Sequence, residues 1–210
     1  MTSPKLQKQA LRQTFRRKRG ALTSSVRNQA HQRIATHLTA FFTQRKHFRQ
    51  VAIYLATPEE VDLAPWMQSA WAEGISLYAP VLSQTQGHMT FHAIGSQTAL
   101  RKGRFGLTEP VPAPNELPID PFDLDVALLP LLAFDDCGGR LGMGGGYYDR
   151  YFQQASRRPL IIGVAYGLQQ AEQVLPAETW DLGLDGVVTE SGLGFFNSSN
   201  HIDSHPKGPL

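Results

Sequence analysis

The chain has a single cysteine, Cys137, among its 210 residues. No internal disulfide can form, so a disulfide scaffold is excluded and a reducing compartment is permitted. It also lacks any uninterrupted apolar stretch near the ~20 residues that a membrane-crossing helix needs. Its charged start is not followed by the apolar core of a secretory leader. Neither a membrane span nor a leader is therefore expected, and the cytoplasm is the expected setting. Neither sign of charge dominates, with 20 Lys and Arg against 18 Asp and Glu. The net charge is +2 and the isoelectric point about 8.8, too mild an excess to mark a nucleic-acid binder by itself. No internal repeat is evident. Two phosphate-binding fingerprints are missing as well. The P-loop requires G-x-x-x-x-G-K-[ST], and no Lys-Ser or Lys-Thr follows the glycines of this chain. The dinucleotide fingerprint G-x-G-x-x-G fails because Gly142 and Gly144 are followed by Tyr147 where a third glycine is required.

What the sequence does contain is centred on Leu124 to Phe152. The apolar run Leu124 to Leu132, broken only by Asp125 and Pro130, suits a strand buried on both faces, as in a parallel sheet. It leads into a loop holding Gly138, Gly139, Gly142, Gly144, Gly145 and Gly146, and then into Tyr147 to Phe152, which can start a helix. Strand, glycine loop and helix start form a cradle for phosphate, because backbone N–H groups converge on the anion and the helix dipole favours it. Arg140 can clamp phosphate oxygens as a planar fork. Asp149 can help hold a magnesium ion, since Mg²⁺ in phosphate sites takes one or two carboxylates plus phosphate oxygens. The bland alternative is a long glycine turn with Asp149 as a favourable charge at the helix start.

Elsewhere the pattern alternates between helix and strand. Leu11 and Phe15 lie four apart, as do Lys8 and Arg12, so each pair shares a face of a basic first helix that Gly20 stops. Thr23, Ser24 and Ser25 are good caps for a second helix whose buried stripe is Val26, Ala30, Ile34, Leu38 and Phe42. Strands are expected over Val51–Ala56, Ile75–Ala79, Leu160–Ala165 and Val187–Thr189. Short helices are expected around Trp66 to Trp71, with Asp62 as cap, and over Leu168–Val174. Strand, helix, strand with short links implies parallel pairing. His88 and His92 mimic an H-x-x-x-H metal pair. The alternation of Met89, Phe91 and Ala93 instead indicates a strand, where residues four apart are separated by roughly 13 Å. The fold class is thus α/β: a three-layer α/β/α domain with a mostly parallel open sheet, over 1–196. Residues 197–210 are polar and are expected to form a disordered tail.

The run Phe134-Asp135-x-x-Gly138-x-Arg140-Leu141-Gly142-x-Gly144-Gly145-Gly146-Tyr147-Tyr148-Asp149-Arg150 resembles the signature of the 5-formyltetrahydrofolate cyclo-ligase family. Further matches keep the family's order: Lys8-x-x-Leu11-Arg12, then Tyr54-Leu55 with Glu60-Val61-Asp62, then Phe105-Gly106-Leu107-x-Glu109-Pro110, and Asp181 through Asp185 to Thr189-Glu190. The resemblance implies an ATP- and Mg²⁺-dependent cyclisation of 5-formyltetrahydrofolate to 5,10-methenyltetrahydrofolate. It assigns Lys8, Gln9, Ala10, Leu11, Arg12, Arg140, Leu141, Gly142, Met143, Gly144, Gly145, Gly146, Tyr147 and Tyr148 to ATP, with Lys8, Arg12 and Arg140 acting on the phosphates. Leu55, Glu60 and the Met143–Tyr147 segment are assigned to the folate, and Asp149 with Asp181 to magnesium. Spacing alone does not choose Asp181 over Asp185. Nor does it say whether Tyr147 and Tyr148 flank the substrate or pack beneath the loop. A small-molecule substrate, no membrane, no nucleic acid and a monomer are expected.

Three positions depart from the family pattern: Leu131 where Gly is common after Pro130, Met143 inside the glycine loop, and Leu63 for a frequent Thr. The first is expected to be a packing change, and Met143 to bear on substrate affinity. Two rival readings remain open on the residues alone. One is a non-catalytic anion or nucleic-acid module using the basic arm, and the other an α/β enzyme handling a sugar phosphate without ATP.

Overall fold

The computed structural model describes residues 4–85, 87–153 and 157–196; the segment expected to be a tail, from residue 197, lies outside them. In chain order the elements are α1 (Pro4–Gly20), α2 (Ser24–Gln44), β1 (Gln50–Ala52), α3 (Ala64–Ala72), β2 (Ser76–Leu82), β3 (Met89–Ile94), β4 (Leu100–Lys102), β5 (Thr108–Pro110), β6 (Val126–Pro130), β7 (Ala133–Phe134), β8 (Arg140–Leu141), α4 (Tyr147–Gln153), β9 (Leu160–Val164), β10 (Gly186–Thr189) and β11 (Gly192–Phe195).

Seven strands form the central sheet in the order β11-β10-β9-β6-β1-β2-β3. The five inner strands pair in parallel, and β3 and β11 close the edges antiparallel. The apolar runs explain this directly. Val126 to Leu129 and Leu160 to Val164 are buried throughout, which only a sheet covered on both faces allows. α2 and α3 cover one face, packing Ile34, Leu38, Phe42 and Trp66 on Ile53, Leu128 and Ile162. The other face is thinner: Phe152 of the short α4 joins Phe91, Ala127, Leu129 and Ile161.

The strand order runs outward in both directions from the β1/β6 pair. Open α/β sheets bind ligands in the crevice at such a switch point, beyond the carboxyl ends of the strands. The chain leaving β1 carries Leu55 and Glu60, and the chain leaving β6 carries the glycine-rich segment. A third, smaller core lies beneath α1, where Phe15 and Leu11 pack on Leu132, Ala133, Leu141 and Leu175. That contact seats the basic helix against the β7–β8 hairpin.

The sequence pattern is corrected at several places. Val26 is 48% exposed, and the buried stripe of α2 widens instead to Ala35 and Phe41, because the helix faces a broad sheet rather than one neighbour. Thr23 is the cap, its hydroxyl accepting from the Val26 N–H at 3.4 Å. The strand expected over Val51–Ala56 spans only Gln50–Ala52; beyond it the buried Tyr54 hydroxyl donates to Val61 O at 2.6 Å, turning the chain into the loop of Glu60. The helix expected over Leu168–Val174 is a single 3-10 turn, Gly167–Gln169. Gln169 folds inward there. Its amide donates to the Leu131 and Leu132 carbonyls and its carbonyl accepts from the Tyr166 N–H, so the chain satisfies buried backbone groups rather than a new helical turn. Leu63 and Leu131 are both buried in the cores, which makes those two departures packing features.

Candidate active site

The glycine-rich segment is not one loop. The β7–β8 hairpin interrupts it, so Gly138 and Gly139 lie in the hairpin turn, while Gly142 to Gly146 join β8 to α4. Asp135 organises the first part and is 2% exposed. One of its oxygens accepts from Cys137 N at 2.9 Å and from Gly139 N at 2.7 Å, and the other accepts from Leu175 N at 2.7 Å. A Cβ on Gly139 would sit 2.3 Å from the Asp135 carboxylate, so this position has no room for a side chain. Asp135 stood in the signature without a role. Its spacing ahead of two glycines was the available signal, and the reach to Leu175 was not readable.

β8 then delivers Arg140. Its side chain is 5% exposed; Nη2 donates to Asp149 Oδ1 at 2.6 Å and Nε donates to Leu182 O at 3.4 Å. Asp149 lies in the first turn of α4, where a carboxylate is favoured by the helix dipole. The same Oδ1 accepts from the Leu182 N–H at 3.0 Å. The neighbouring residue, Asp181, accepts from Lys8 Nζ at 2.5 Å and from the Glu178 N–H at 2.8 Å. Two ion pairs therefore converge on consecutive residues of one segment. Asp185 is elsewhere engaged. It takes the Arg158 guanidinium on both oxygens at 2.7 Å and accepts from the Ile161 N–H at 2.7 Å, so of the two acids it is Asp181 that meets the basic helix.

That helix runs along the loop. One turn past Lys8, Arg12 Nε donates to Gly142 O at 2.9 Å. Another turn on, Arg16 lies 3.8 Å from the thioether of Met143, a half-exposed side chain at the loop's tip. Arg16 is outside the set of residues assigned from the sequence. Gly144 has φ +100°, and a Cβ there would stand 3.3 Å from the Arg12 guanidinium carbon; the loop thus approaches the helix in a conformation that side chains rarely adopt. Gln9 and Ala10 are exposed on α1, and Leu11 packs beneath the helix.

On the far side of the switch point, Glu60 is fixed by its own turn, where its Oε2 accepts from the Thr57 N–H at 2.9 Å. Its backbone carbonyl accepts from the Tyr166 hydroxyl at 3.1 Å, which in turn meets His31 Nε2 at 2.8 Å. Leu55 is half-buried against the α2/α3 core. Tyr148 joins the two halves. Burial pushes its hydroxyl up, the Glu60 charge adds to this and the Arg140 guanidinium opposes it. Tyr147 lies at the surface of the second core, and its hydroxyl is buried with no hydrogen-bond partner among the described residues.

Burial also raises Tyr54 and Tyr151, and pushes Tyr166 up to about 12. Each stays neutral in the folded chain above the pH, about 10, where an unfolded tyrosine ionises. The unfolded chain therefore holds fewer protons in that window, so stability is intact below pH 10 and falls as pH rises from about 10 to 12. The melting temperature is expected to drop steeply above about pH 10, with phenolate absorbance appearing together with loss of helical signal. Phenolate absorbance rising fully in the still-folded protein at pH 10 is the contrary result.

No described helix is long and apolar enough to cross a membrane. Comparison with known proteins agrees with the residues. The family described as "5-formyltetrahydrofolate cyclo-ligase family" matches residues 4–190. The chain is 35% identical over 184 residues to a 5-formyltetrahydrofolate cyclo-ligase of Haemophilus influenzae, covering 86% of this chain and 96% of that protein. It is 35% identical over 180 residues to one from Escherichia coli, covering 84% and 97%. Among solved structures, a 5,10-methenyltetrahydrofolate synthetase from Aquifex aeolicus superposes with a TM-score of 0.73 at 30% identity over 94% of this chain and 97% of that one. Another from Mycoplasma pneumoniae gives 0.71 at 27% identity over 87% and 98%. The switch-point crevice, its glycine loop and its paired charges are thus those of a protein that belongs to the 5-formyltetrahydrofolate cyclo-ligase family.

Proposed function

We propose that this chain converts 5-formyltetrahydrofolate to 5,10-methenyltetrahydrofolate, using ATP with magnesium and releasing ADP and phosphate. The observation that carries the reading is the convergence of Lys8–Asp181 and Arg140–Asp149 beside the Gly142–Gly146 loop. A magnesium triphosphate is itself an alternation of anion and cation. Both pairs can accept it by exchange, with the three cations Lys8, Arg12 and Arg140 turning to phosphate oxygens and the two carboxylates to the ion. Among the described residues no three His, Cys, Asp or Glu side chains cluster to hold a metal by themselves. That fits an ion completed by phosphate oxygens and water.

When bound, ATP supplies the phosphoryl group that makes the amide-like formyl oxygen a leaving group, so that N10 can close the ring as phosphate departs. The residues of the chain position and neutralise. Arg12 is fixed to the loop through its Nε–H, which leaves the rest of the guanidinium to the phosphates. Glu60, with one oxygen anchored to Thr57, offers the other to the amino and ring N–H donors of the pterin. Tyr148, held neutral by burial, adds no charge between Glu60 and Arg140. Solvation by the cytoplasm and action as a monomer belong to the same reading; the lone cysteine is compatible with the first.

The reading is tested by mixing the protein, 5-formyltetrahydrofolate and magnesium, with and without ATP, and following the methenyltetrahydrofolate absorbance band. A rise that needs both ATP and magnesium is expected; no rise from folded protein with intact substrate sinks it. Within that assay Asp181→Asn is expected to raise the KM for ATP about tenfold or more. Asp185→Asn is expected to leave that KM unchanged and lower stability by about 1–3 kcal/mol, through loss of its paired, half-buried hydrogen bonds. Equal effects of the two substitutions on KM would contradict the assignment.

A further inference from the structure

The β4–β5 hairpin stands beside this site with no part in the reaction as described. At its tip is Phe105, 70% exposed and at φ +57°. A bulky residue in the left-handed region is strained; such strain persists only where the surroundings enforce it, and it clusters at functional sites. Stability does not require a large apolar ring in that conformation facing water. Yet the ring is held in place. It meets the Tyr147 ring edge-on, with centroids 6.5 Å apart and planes at 77°. The Arg104 guanidinium lies 5.0 Å from its centroid and is itself tied to the Ser83 and Gln84 carbonyls at 3.3 and 2.9 Å. The root of the hairpin is equally fixed: the buried Glu109 accepts from the Leu82 N–H at 3.0 Å and faces Arg101 at 3.8 Å.

Placement indicates which ligand this serves. The hairpin hangs from the end of β2, on the β1–β2–β3 half of the crevice that also carries Glu60. Lys8, Asp149 and Asp181 belong to the other half, with the glycine loop between. We propose that Phe105, with Tyr147, forms an aromatic wall for the flat conjugated rings of the folate substrate, and that Phe105 sets affinity for the folate and not for the nucleotide. The inference rests on the activity proposed above. Aromatic faces grip planar heterocycles by stacking without needing a hydrogen-bond code, which complements the polar anchoring assigned to Glu60.

The test is steady-state kinetics on the full chain with both substrates varied. Phe105→Ala is expected to raise the KM for 5-formyltetrahydrofolate about tenfold, with kcat and the KM for ATP within about twofold, and Phe105→Trp to restore most of the affinity. Phe105→Gly adopts φ +57° without strain, so it is expected to melt no lower than the unaltered chain while showing the same rise in KM. A rise in the KM for ATP instead would assign the wall to adenine and overturn the proposal, as would unchanged constants in both variants. Absence of turnover by the unaltered chain would overturn the proposed activity and this inference together; turnover with an insensitive Phe105 overturns this one alone.

Discussion

Arg140→Ala is expected to lower kcat/KM for ATP by about a thousandfold. Arg140 is the most enclosed of the three cations at the loop, with 5% of its side chain exposed. Its fork is held at two points, by Asp149 Oδ1 at 2.6 Å and by Leu182 O at 3.4 Å. A preorganised guanidinium stabilises charge developing on a transferring phosphoryl group without reorganising at the moment of reaction, and loss of one such donor typically costs about 10²–10³ in rate. Here the loss also frees Asp149, which retains the Leu182 N–H but no longer has a cation to set its orientation; that second effect brings the expected loss to the upper end of this range. Arg140→Lys keeps the charge and loses the planar fork, so an intermediate value, down about thirtyfold, is expected. The thermal cost should be small, about 1–2 kcal/mol, because Asp149 is 20% exposed and water can reach it. Kinetics with ATP varied, alongside a melting curve, separates the two effects. Turnover within about threefold of the unaltered chain at saturating substrates, from a protein that melts normally, would remove Arg140 from the phosphate site.

How much of this was legible in the sequence depended on whether the cause was local. The parallel sheet was readable because Val126–Leu129 and Leu160–Val164 are apolar without alternation, and only burial on both faces accounts for that. The helix face shared by Leu11 and Phe15 was readable from spacing, and with it the common side of Lys8 and Arg12. The partner of Lys8 was not. Asp181 lies 173 positions away, and the choice between it and Asp185 turned on Arg158 and Ile161 occupying the latter. The glycine segment read as one loop because glycine count does not distinguish a hairpin turn from a strand-to-helix loop. Two-residue strands such as β7 and β8 leave no periodic trace, and their pairing is imposed by Asp135 and by α1 packing over them. The 3-10 turn at Gly167–Gln169 escaped for a similar reason: a long-range bond from Gln169 to the Leu131 carbonyl outweighed a weak local preference for helix. The signature residues named the segment that matters, while tertiary contacts decided what each residue in it does.

Asp135→Asn is expected to cost about 3–4 kcal/mol of stability. The carboxylate is buried and accepts three backbone N–H groups, two on Oδ1 and one, from Leu175, on Oδ2. Bonds to a charged acceptor contribute about 1.5–3 kcal/mol each and do not add fully. Asparagine supplies one carbonyl oxygen. If that oxygen keeps Cys137 and Gly139, its NH₂ group must face the Leu175 N–H, donor against donor; if it flips, two N–H groups of the hairpin turn are orphaned. Neither orientation can be repaired by space, since Gly139 already sits against the side chain and water has no room to enter. For a chain of this size the shift in melting temperature is about 2–4 °C per kcal/mol, so a fall of about 6–16 °C is expected. Asp135→Ala should fall at least as far, as it also leaves a hole. The turn holds β8, and β8 holds Arg140, so the loss should reach the site as well: kcat should fall more than the melting data alone account for at temperatures where the protein is still folded. Added ATP should then recover part of the melting temperature, because a ligand that binds only the folded chain stabilises it by mass action. A drop of less than about 3 °C for Asp135→Asn, or a kcat unaffected below the transition, would mean that the hairpin is shaped by its own pairing and by α1, with Asp135 merely filling its turn.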